Sequence, residues 1–402
     1  MRKIVIIGGG FSGIAAARTL KKRLVGMKRL EITLVSERSH FVASPNLTNI
    51  ATGDEKIAQI TTHLSKLVSA PIKIEIDRVS SIHPLEKSIS LESGAQLDYD
   101  FAIQATGTQL DWRGLEPNSH VIGCKKASDF LDVQERVIAS LTRANEMLEK
   151  GESAIEALCT FVVIGAGPTG ITLAAKLTVA LKNRYLSEYS SELRKHVSVI
   201  LVDADDRVLT EFPDLSPIAG MELERLGVDL RLKLKVENFN EKGLLFDNGE
   251  TLDSENLFWC GGVQRISFLD EKRDRVCDAS LRHLDYRELY IVGDAVDEQP
   301  ITMNAHCAVA QGRLAASNII ADLSGRKASR WSNKGWPMII DLGETKIAIN
   351  SRGDVLQGRS ARIYAKASRA KLLKEWMGSY STWKFLMDEM LKKTSSTFFL
   401  EE

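Results

Sequence analysis

The N-terminal stretch Arg2–Gly13, RKIVIIGGGFSG, sets the architecture expected of this chain. Its β-branched run Ile4–Ile7 predicts a strand, and the next six residues form a G-x-G-x-x-G pattern. The apolar spacing of Ile14–Leu24 then predicts a helix. A glycine-rich turn between a strand and a helix suits a pyrophosphate, because the free N–H groups at the helix start face the phosphates. We therefore expect a dinucleotide to contact Gly8, Gly10, Phe11, Ser12 and Gly13.

An acidic residue follows the second predicted strand, Glu31–Val35. A carboxylate at this strand end accepts a hydrogen bond from a ribose hydroxyl in dinucleotide-binding folds. Glu37 is therefore expected to bind the ribose of the first dinucleotide.

The opening pattern occurs a second time. Phe161–Ile164 reads as a strand before another G-x-G-x-x-G, a helix follows, and the strand Val197–Val202 ends in Asp203. This acid favours the ribose of NADH and repels the 2′-phosphate of NADPH. Two such units are an internal repeat that predicts two dinucleotides. The second set of expected ligands is Gly165, Gly167, Pro168, Thr169, Gly170 and Asp203.

Two further predicted strands end in turns of small residues. Tyr99–Gln104 leads into Ala105-Thr106-Gly107, and the strand from Leu257 leads into Gly261-Gly262. Ligands of open α/β sheets bind at the carboxyl ends of the strands. We therefore expect cofactor contacts from Thr106, Gly107 and Gly262. Between these motifs, Phe41–Gly53 is expected to be a loop and Ile57–Val68 a short helix.

Composition narrows the class of protein. The chain has 402 residues, which predicts two or three domains, and its formal net charge of zero gives no reason to expect nucleic acid as a partner. Its five cysteines include no C-x-x-C pair, so no metal site is expected and a reducing, cytoplasmic setting is favoured. No apolar run is long enough to span a bilayer, so any membrane contact would be peripheral.

The order of these pieces resembles the two-dinucleotide-binding flavoprotein family of FAD/NAD(P)H-dependent oxidoreductases, and most closely its type II NADH:quinone dehydrogenase branch. The resemblance covers Met1 to about Asp322 and includes a Gly-Asp motif at Gly293-Asp294. It implies an α/β fold with two Rossmann-like domains and a small C-terminal region, FAD on the first unit and NADH on the second. It also implies FAD contacts from Gly293, Asp294 and Ala305, with Asp294 on the ribityl chain.

The implied activity passes electrons from NADH through FAD to a quinone or similar acceptor, and hydride transfer to flavin needs no side-chain acid or base. The implied domains are 1–115 and 281–325 for FAD, 116–280 for NADH, and a C-terminal region at 326–402.

The expected acceptor site departs from the branch's pattern. His306 and Ala310 stand where the branch has glutamines, and Thr172 stands where it has a glutamate. Asn304 and His306 are therefore candidate substrate residues, with the acceptor left open.

Two other functions stay open. Sulfide:quinone oxidoreductases, which are relatives, use cysteines near the flavin, and Cys124 or Cys159 could take that role. No cysteine follows Cys307, however, and buried, inert thiols are the favoured interpretation. A redox-sensing protein that binds FAD and NADH without turnover is the non-enzyme alternative.

The C-terminal stretch Arg369–Lys393 carries an apolar stripe at helical spacing, rich in Trp, Met and Tyr, with lysines mostly on the other side. Such a stripe suits peripheral attachment to the cytoplasmic face of a membrane, or packing on the chain itself or on a second copy in a homodimer.

Overall fold

The computed structural model describes residues 1–24, 30–269, 276–296, 303–332 and 335–377. Its helices, in chain order, are α1 (Phe11–Leu24), α2 (Leu47–Ala51), α3 (Ile57–Ile60), α4 (Leu64–Leu67), α5 (Ala127–Glu149), α6 (Glu156–Cys159), α7 (Pro168–Asn183), α8 (Ser191–His196), α9 (Ser216–Leu226), α10 (Ala305–Leu323) and α11 (Gly358–Met377). Short 3-10 helices cover Ser44–Asn46, Tyr185–Glu188 and Gly293–Ala295.

The strands, in chain order, are β1 (Arg2–Ile7), β2 (Leu30–Ser36), β3 (His40–Val42), β4 (Thr61–His63), β5 (Ile72–Ile76), β6 (Val79–His83), β7 (Ser88–Leu91), β8 (Gln96–Asp98), β9 (Phe101–Gln104), β10 (Thr108–Leu110), β11 (Val121–Gly123), β12 (Thr160–Ile164), β13 (Ser198–Val202), β14 (Asp229–Arg231), β15 (Val236–Asn240), β16 (Gly243–Phe246), β17 (Thr251–Asp253), β18 (Asn256–Trp259), β19 (Val263–Arg265), β20 (Leu289–Ile291), β21 (Met338–Asp341), β22 (Lys346–Ile349) and β23 (Val355–Gln357).

Two parallel five-stranded sheets organise the molecule. The first has the order β20-β9-β1-β2-β5, and the second has the order β11-β18-β12-β13-β14. Strands β1 and β12 are each central and buried, which explains their near-continuous apolar sequences. The strand before each G-x-G-x-x-G therefore holds the same place in its sheet, and the α/β fold with two Rossmann-like units is confirmed.

An antiparallel meander covers one face of each sheet. Strands β6-β7-β8 form the first meander, and their apolar residues share a core with the first sheet. Strands β15-β16-β17 form the second and share a core with the second sheet. The internal repeat thus extends beyond the two fingerprints to the layers that surround them.

The expectation of a loop at Phe41–Gly53 is wrong. This segment contains β3, a 3-10 helix and α2. Leu47, Ile50 and Ala51 of α2 are buried in a core that also contains residues of α5 and α7, which pack on the second sheet. The sequence pattern did not predict α2 because this short helix is stabilised by packing against residues far along the chain.

Polar contacts fix the same junction. The buried ammonium group of Lys176 donates to Asn49 Oδ1 and lies 3.6 Å from a carboxylate oxygen of Asp54. Arg184 pairs with Asp54 at 3.2 Å, and the Tyr185 hydroxyl donates to Ala51 O at 2.9 Å. Helix α2 therefore joins the unit built on the first sheet to helix α7 of the unit built on the second sheet.

The expectation of one helix at Ile57–Val68 is also wrong. Two single-turn helices, α3 and α4, flank the strand β4. Strand β4 pairs antiparallel with β3, from His40 opposite His63 to Val42 opposite Thr61. The β-branched residues Thr61 and Thr62 favour this extended conformation over a helix.

The C-terminal region contacts both halves. Ile340 and Ile347 of its antiparallel sheet β21-β22-β23, and Leu342 in the turn between β21 and β22, belong to the core around α7. Helix α11 places Trp376 in the core around α1 and α10. The described side chains of the apolar stripe, up to Trp376, therefore pack on the chain itself, while residues 378–393 lie outside the described ranges.

No helix in the described ranges is both long enough and apolar enough to cross a membrane.

Candidate dinucleotide-binding sites

The first glycine turn is shaped by close backbone contacts. Gly8 has φ +112°, and a Cβ there would lie 2.3 Å from the carbonyl oxygen of Ala105 at the end of β9. A Cβ at Gly13 would lie 1.9 Å from Gly8 O. A side chain at either position would therefore force the turn apart.

The second glycine turn repeats this geometry. Gly165 has φ +107°, and its Cβ would lie 2.5 Å from the carbonyl oxygen of Cys260 at the end of β18. A Cβ at Gly170 would lie 1.8 Å from Gly165 O. The two turns are thus built by the same contacts, each against the neighbouring strand of its sheet.

The middle glycine of each turn is open. A Cβ at Gly10 or at Gly167 would meet no heavy atom of the described residues within 4 Å. Each opening lies at the start of a long helix, α1 after Gly10 and α7 at Pro168, where backbone N–H groups face outward. This combination fits a pyrophosphate in each turn, and Thr169 lies in the first turn of α7.

Around the first opening, Ser12 is buried where three elements meet. A Cβ at Gly293 would lie 2.8 Å from Ser12 Oγ, and one at Gly312 of α10 would lie 2.1 Å from Ser12 O. Phe11, which follows Gly10, packs its ring against the rings of Phe41 and Trp376, with centroid distances of 4.9 and 5.0 Å. These two residues therefore fix α1 against its neighbours.

The two acids differ in their surroundings. Asp203 accepts hydrogen bonds from the Ala166 N–H of the second turn and from the Asp205 N–H at 2.8 Å. Glu37 is about half exposed, and its carboxylate lies 3.8 Å from Arg78. The carboxylate of Asp203 thus lies directly beside its glycine turn, as a ribose ligand would.

Buried polar atoms that have no partner among the described residues lie at the carboxyl end of the first sheet. They are Gln104 Oε1 at the end of β9, Thr106 Oγ1 in the following turn, and Gln311 Nε2 on α10. The other end of the Gln311 amide is used, because Oε1 accepts the Gly293 N–H at 2.6 Å. Unpaired buried groups of this kind are costly unless a ligand satisfies them, so this region fits a polar cofactor such as FAD. Gln104 and Gln311 were absent from the expected site residues.

The remaining strand-end turns are held in conformations that favour glycine. Gly107 has φ +67°, Gly262 has φ +121° and Gly293 has φ +70°. A Cβ at Gly262 would lie 2.9 Å from the guanidinium group of Arg113.

Asp294 is surrounded by groups that the sequence pattern did not reveal. Burial raises the pKa of its carboxyl, and the charges of Lys125 and Arg265 oppose that shift. Lys125 precedes α5 and its ammonium group donates to Thr108 Oγ1 at 2.7 Å. Lysines far from Asp294 in sequence carry no local signal, so only the fold identifies this partner.

The candidate acceptor residues lie at the start of α10. Asn304 is its N-cap, where Oδ1 accepts the Cys307 N–H at 2.9 Å while Nδ2 donates to Pro337 O at 3.1 Å. Ala305 is the first residue of the helix. His306 Nε2 lies 2.9 Å from Ser368 Oγ of α11, and burial lowers the pKa of the imidazole. Asn304 thus has a structural task, whereas His306 is a neutral imidazole at neutral pH.

The five cysteines are free thiols. Cys124 is buried, and a hydrogen bond with Cys260 on the neighbouring strand, followed by burial, raises its pKa. Burial raises the pKa of Cys159 to about 11. Both thiols are therefore protonated at neutral pH and poorly nucleophilic.

Residues 2–312 match the model of the pyridine nucleotide-disulphide oxidoreductase family. The chain belongs to this family. Among its relatives is a type II NADH:quinone oxidoreductase of Mycobacterium tuberculosis, which is 25% identical over 366 residues, or 83% of this chain and 76% of the relative.

Solved structures of other proteins have the same fold. NDH2 from Plasmodium falciparum in complex with NADH superposes with a TM-score of 0.81 at 15% identity, covering 95% of this chain and 97% of that one. The sulfide:quinone oxidoreductase of Aquifex aeolicus gives a TM-score of 0.74 at 19% identity, covering 94% and 92%.

Proposed function

We propose that this chain is an FAD-dependent oxidoreductase that passes electrons from NADH to a quinone. The observation that carries the proposal is the duplicated turn: two G-x-G-x-x-G turns, each open at its middle glycine, lie in equivalent places of two parallel sheets. Relatives named type II NADH:quinone oxidoreductases support the same reaction.

On this proposal the first turn holds FAD. The pyrophosphate would lie at Gly10 and the start of α1, and one ribose at Glu37. Thr106, Gln311 and Asp294 would satisfy polar groups nearer the ring. FAD supplies the redox chemistry, since it accepts a hydride from NADH and passes the electrons on, while the protein binds and orients it.

The second turn would hold NADH. Its pyrophosphate would lie at Gly167 and the start of α7, and Asp203 would accept a hydrogen bond from the adenosine ribose. Gly262, in the turn after β18, is proposed to lie near the nicotinamide end. The proposed domains remain 1–115 with 281–325 for FAD and 116–280 for NADH. The contacts of α2 with α7 would hold the two sites at a fixed distance and orientation, which hydride transfer requires.

His306 is proposed as the residue that meets the quinone. It occupies the first turn of α10, close to the Gly293–Ala295 turn, and its neutral ring can accept or donate a hydrogen bond. Asn304 is proposed to act indirectly, by capping the helix that carries His306.

The site of quinone encounter is proposed to be a membrane surface on the cytoplasmic side. Residues 378–393 retain Trp383, Tyr380 and three lysines, a composition that suits an interface. A chain truncated after Met377 should keep NADH oxidation with a water-soluble quinone but lose sedimentation with anionic liposomes. If truncation instead changes only the size-exclusion mass, these residues form a homodimer contact.

The test of the activity is anaerobic. NADH should bleach the flavin absorbance of the purified protein, and a short-chain ubiquinone should restore it over many cycles. Sulfide in place of NADH should leave the flavin oxidised, because Cys124 and Cys159 are protonated thiols. Bleaching by sulfide would favour the sulfide:quinone oxidoreductase activity, and a flavin that NADH cannot reduce would favour the redox-sensing function.

A further inference from the structure

Two cations, Lys125 and Arg265, act on the carboxyl of Asp294. Thr108 on β10 pairs with Arg265 on the antiparallel strand β19. The Lys125 ammonium group donates to Thr108 Oγ1 at 2.7 Å. Arg265 Nε donates to the carbonyl oxygen of Val296 at 2.6 Å, two residues after Asp294. The β10–β19 ribbon thus brings both positive charges to the Gly293–Ala295 turn.

Among the described residues, the two charges that act on the Asp294 carboxyl are both positive. Lys125 and Arg265 lower the pKa of its carboxyl against the effect of burial. Cys307 of α10 also faces it, but burial and the Asp294 charge raise the pKa of that thiol to about 12, so it is neutral. The Asp129 carboxylate of α5 caps its own helix, since it accepts hydrogen bonds from the backbone N–H groups of Lys125 and Lys126 at 2.9 and 2.6 Å.

Lys125 is the cation whose removal is the cleaner test. The Arg265 guanidinium group also holds the backbone of Val296, so replacing it would disturb the turn itself. Within the described ranges the Lys125 ammonium group donates to Thr108, and its remaining N–H groups can meet a ligand or the carboxylate. Burial lowers the pKa of Lys125 and Asp294 raises it, so the two charges support each other.

We propose that Lys125 is a positioning residue for FAD: anchored on Thr108, it supplies the positive charge that keeps Asp294 an ionised hydrogen-bond acceptor for the cofactor. The inference rests on the proposed function, because it takes Asp294 as a ligand of FAD. A purely structural ion pair would stabilise the fold without linking FAD binding to a proton.

The test compares Lys125→Met with Lys126→Met, a change at its exposed neighbour. FAD release from diluted holoprotein is followed by flavin fluorescence between pH 6 and pH 8.5. Lys125→Met should bind FAD about tenfold or more weakly, the loss expected for a hydrogen bond to a charged group. Its affinity should fall further as the pH decreases, because the unsupported carboxyl takes up a proton. Wild type and Lys126→Met should show little dependence on pH.

Four further variants keep the result interpretable. Asp294→Asn should bind FAD weakly at every pH, and adding Lys125→Met to it should cost little more, because the two residues act through one interaction. Lys125→Arg should restore most of the affinity, whereas Thr108→Val should weaken it partly. If Lys125→Met and Lys126→Met release FAD alike, the inference is wrong while the proposed function stands. If wild type holds no FAD, the proposed function itself is wrong.

Discussion

The indole ring of Trp376 packs against the phenyl ring of Phe41, with 4.4 Å between the centroids. Phe11, inside the first glycine turn, lies against both rings. The end of α11 is therefore joined directly to the turn that is proposed to bind FAD. Trp376 is only 5% exposed, so its apolar surface is buried within the protein.

Replacing Trp376 should destabilise the protein and loosen FAD together. Trp376→Ala removes a large buried side chain and is expected to lower the free energy of unfolding by about 3–5 kcal/mol. Urea denaturation followed by tryptophan-independent far-UV dichroism measures the loss. Ile363→Ala, on the same helix but 61% exposed, is the control and should change stability little. Equal effects of the two variants would mean that α11 is not held by this contact.

The two glycine turns allow a crossed experiment. Gly10→Val places a side chain in open space, so the protein should fold but lose most of its flavin. Gly167→Val should retain flavin and be reduced by NADH at least about tenfold more slowly, because its turn serves the other dinucleotide. Flavin content and stopped-flow bleaching separate the two effects. A reversed pattern would exchange the assignments of the two sites.

The junction between α2 and α7 can be probed by a double-mutant cycle. Asn49→Leu leaves the buried Lys176 ammonium group without its amide partner and is expected to cost about 1–3 kcal/mol of unfolding free energy. Lys176→Met removes the charge and should cost less, since buried charges are often replaceable by apolar groups. The double variant should therefore be more stable than Asn49→Leu alone. Additive effects in urea titrations would show that the two residues are not coupled.

Local sequence predicted the parts of this fold that depend on local backbone chemistry. Both glycine turns lie between a strand and a helix, as predicted. At Gly8 and Gly165 the requirement for glycine is steric and belongs to the turn itself, so the pattern is visible without the fold. The repeated units could therefore be recognised from residue order alone.

Long-range contacts were the part that sequence could not supply. Helix α2 forms where a loop was expected because its apolar face is buried on α5 and α7, which come much later in the chain. Lys125, whose ammonium group is anchored on Thr108 of β10, acts on Asp294, which is far away in sequence. The roles of Glu37, Asp203, Asn304 and His306 stay predictions, since only their positions are described.

His306 should make stability depend on pH. Burial lowers the pKa of its imidazole below 6.5 in the folded state, so the unfolded chain binds more protons in that range. The contribution of the neutral ring is therefore complete above pH 6.5 and is lost as the pH falls below it. Between pH 7.5 and pH 5.5 the unfolding free energy of wild type should fall more than that of His306→Gln. Urea titrations of both proteins at the two pH values measure the difference. An equal change in unfolding free energy for the two proteins would contradict the lowered pKa of His306.

Asp203 should set the preference for NADH over NADPH. Its carboxylate lies beside the second glycine turn, where it accepts the Ala166 and Asp205 N–H groups. Asp203→Asn keeps an oxygen for one of these bonds but removes the charge that repels a 2′-phosphate. Because a hydrogen bond to a charged group is worth roughly 1.5–3 kcal/mol, the ratio of flavin-reduction efficiencies should narrow about tenfold to a hundredfold. The ratio comes from stopped-flow bleaching with each nucleotide in turn. Glu37→Gln is the matched control, because it changes the corresponding acid of the other unit and should leave this ratio unchanged. If Asp203→Asn also leaves the ratio unchanged, the carboxylate serves the turn and not the ribose.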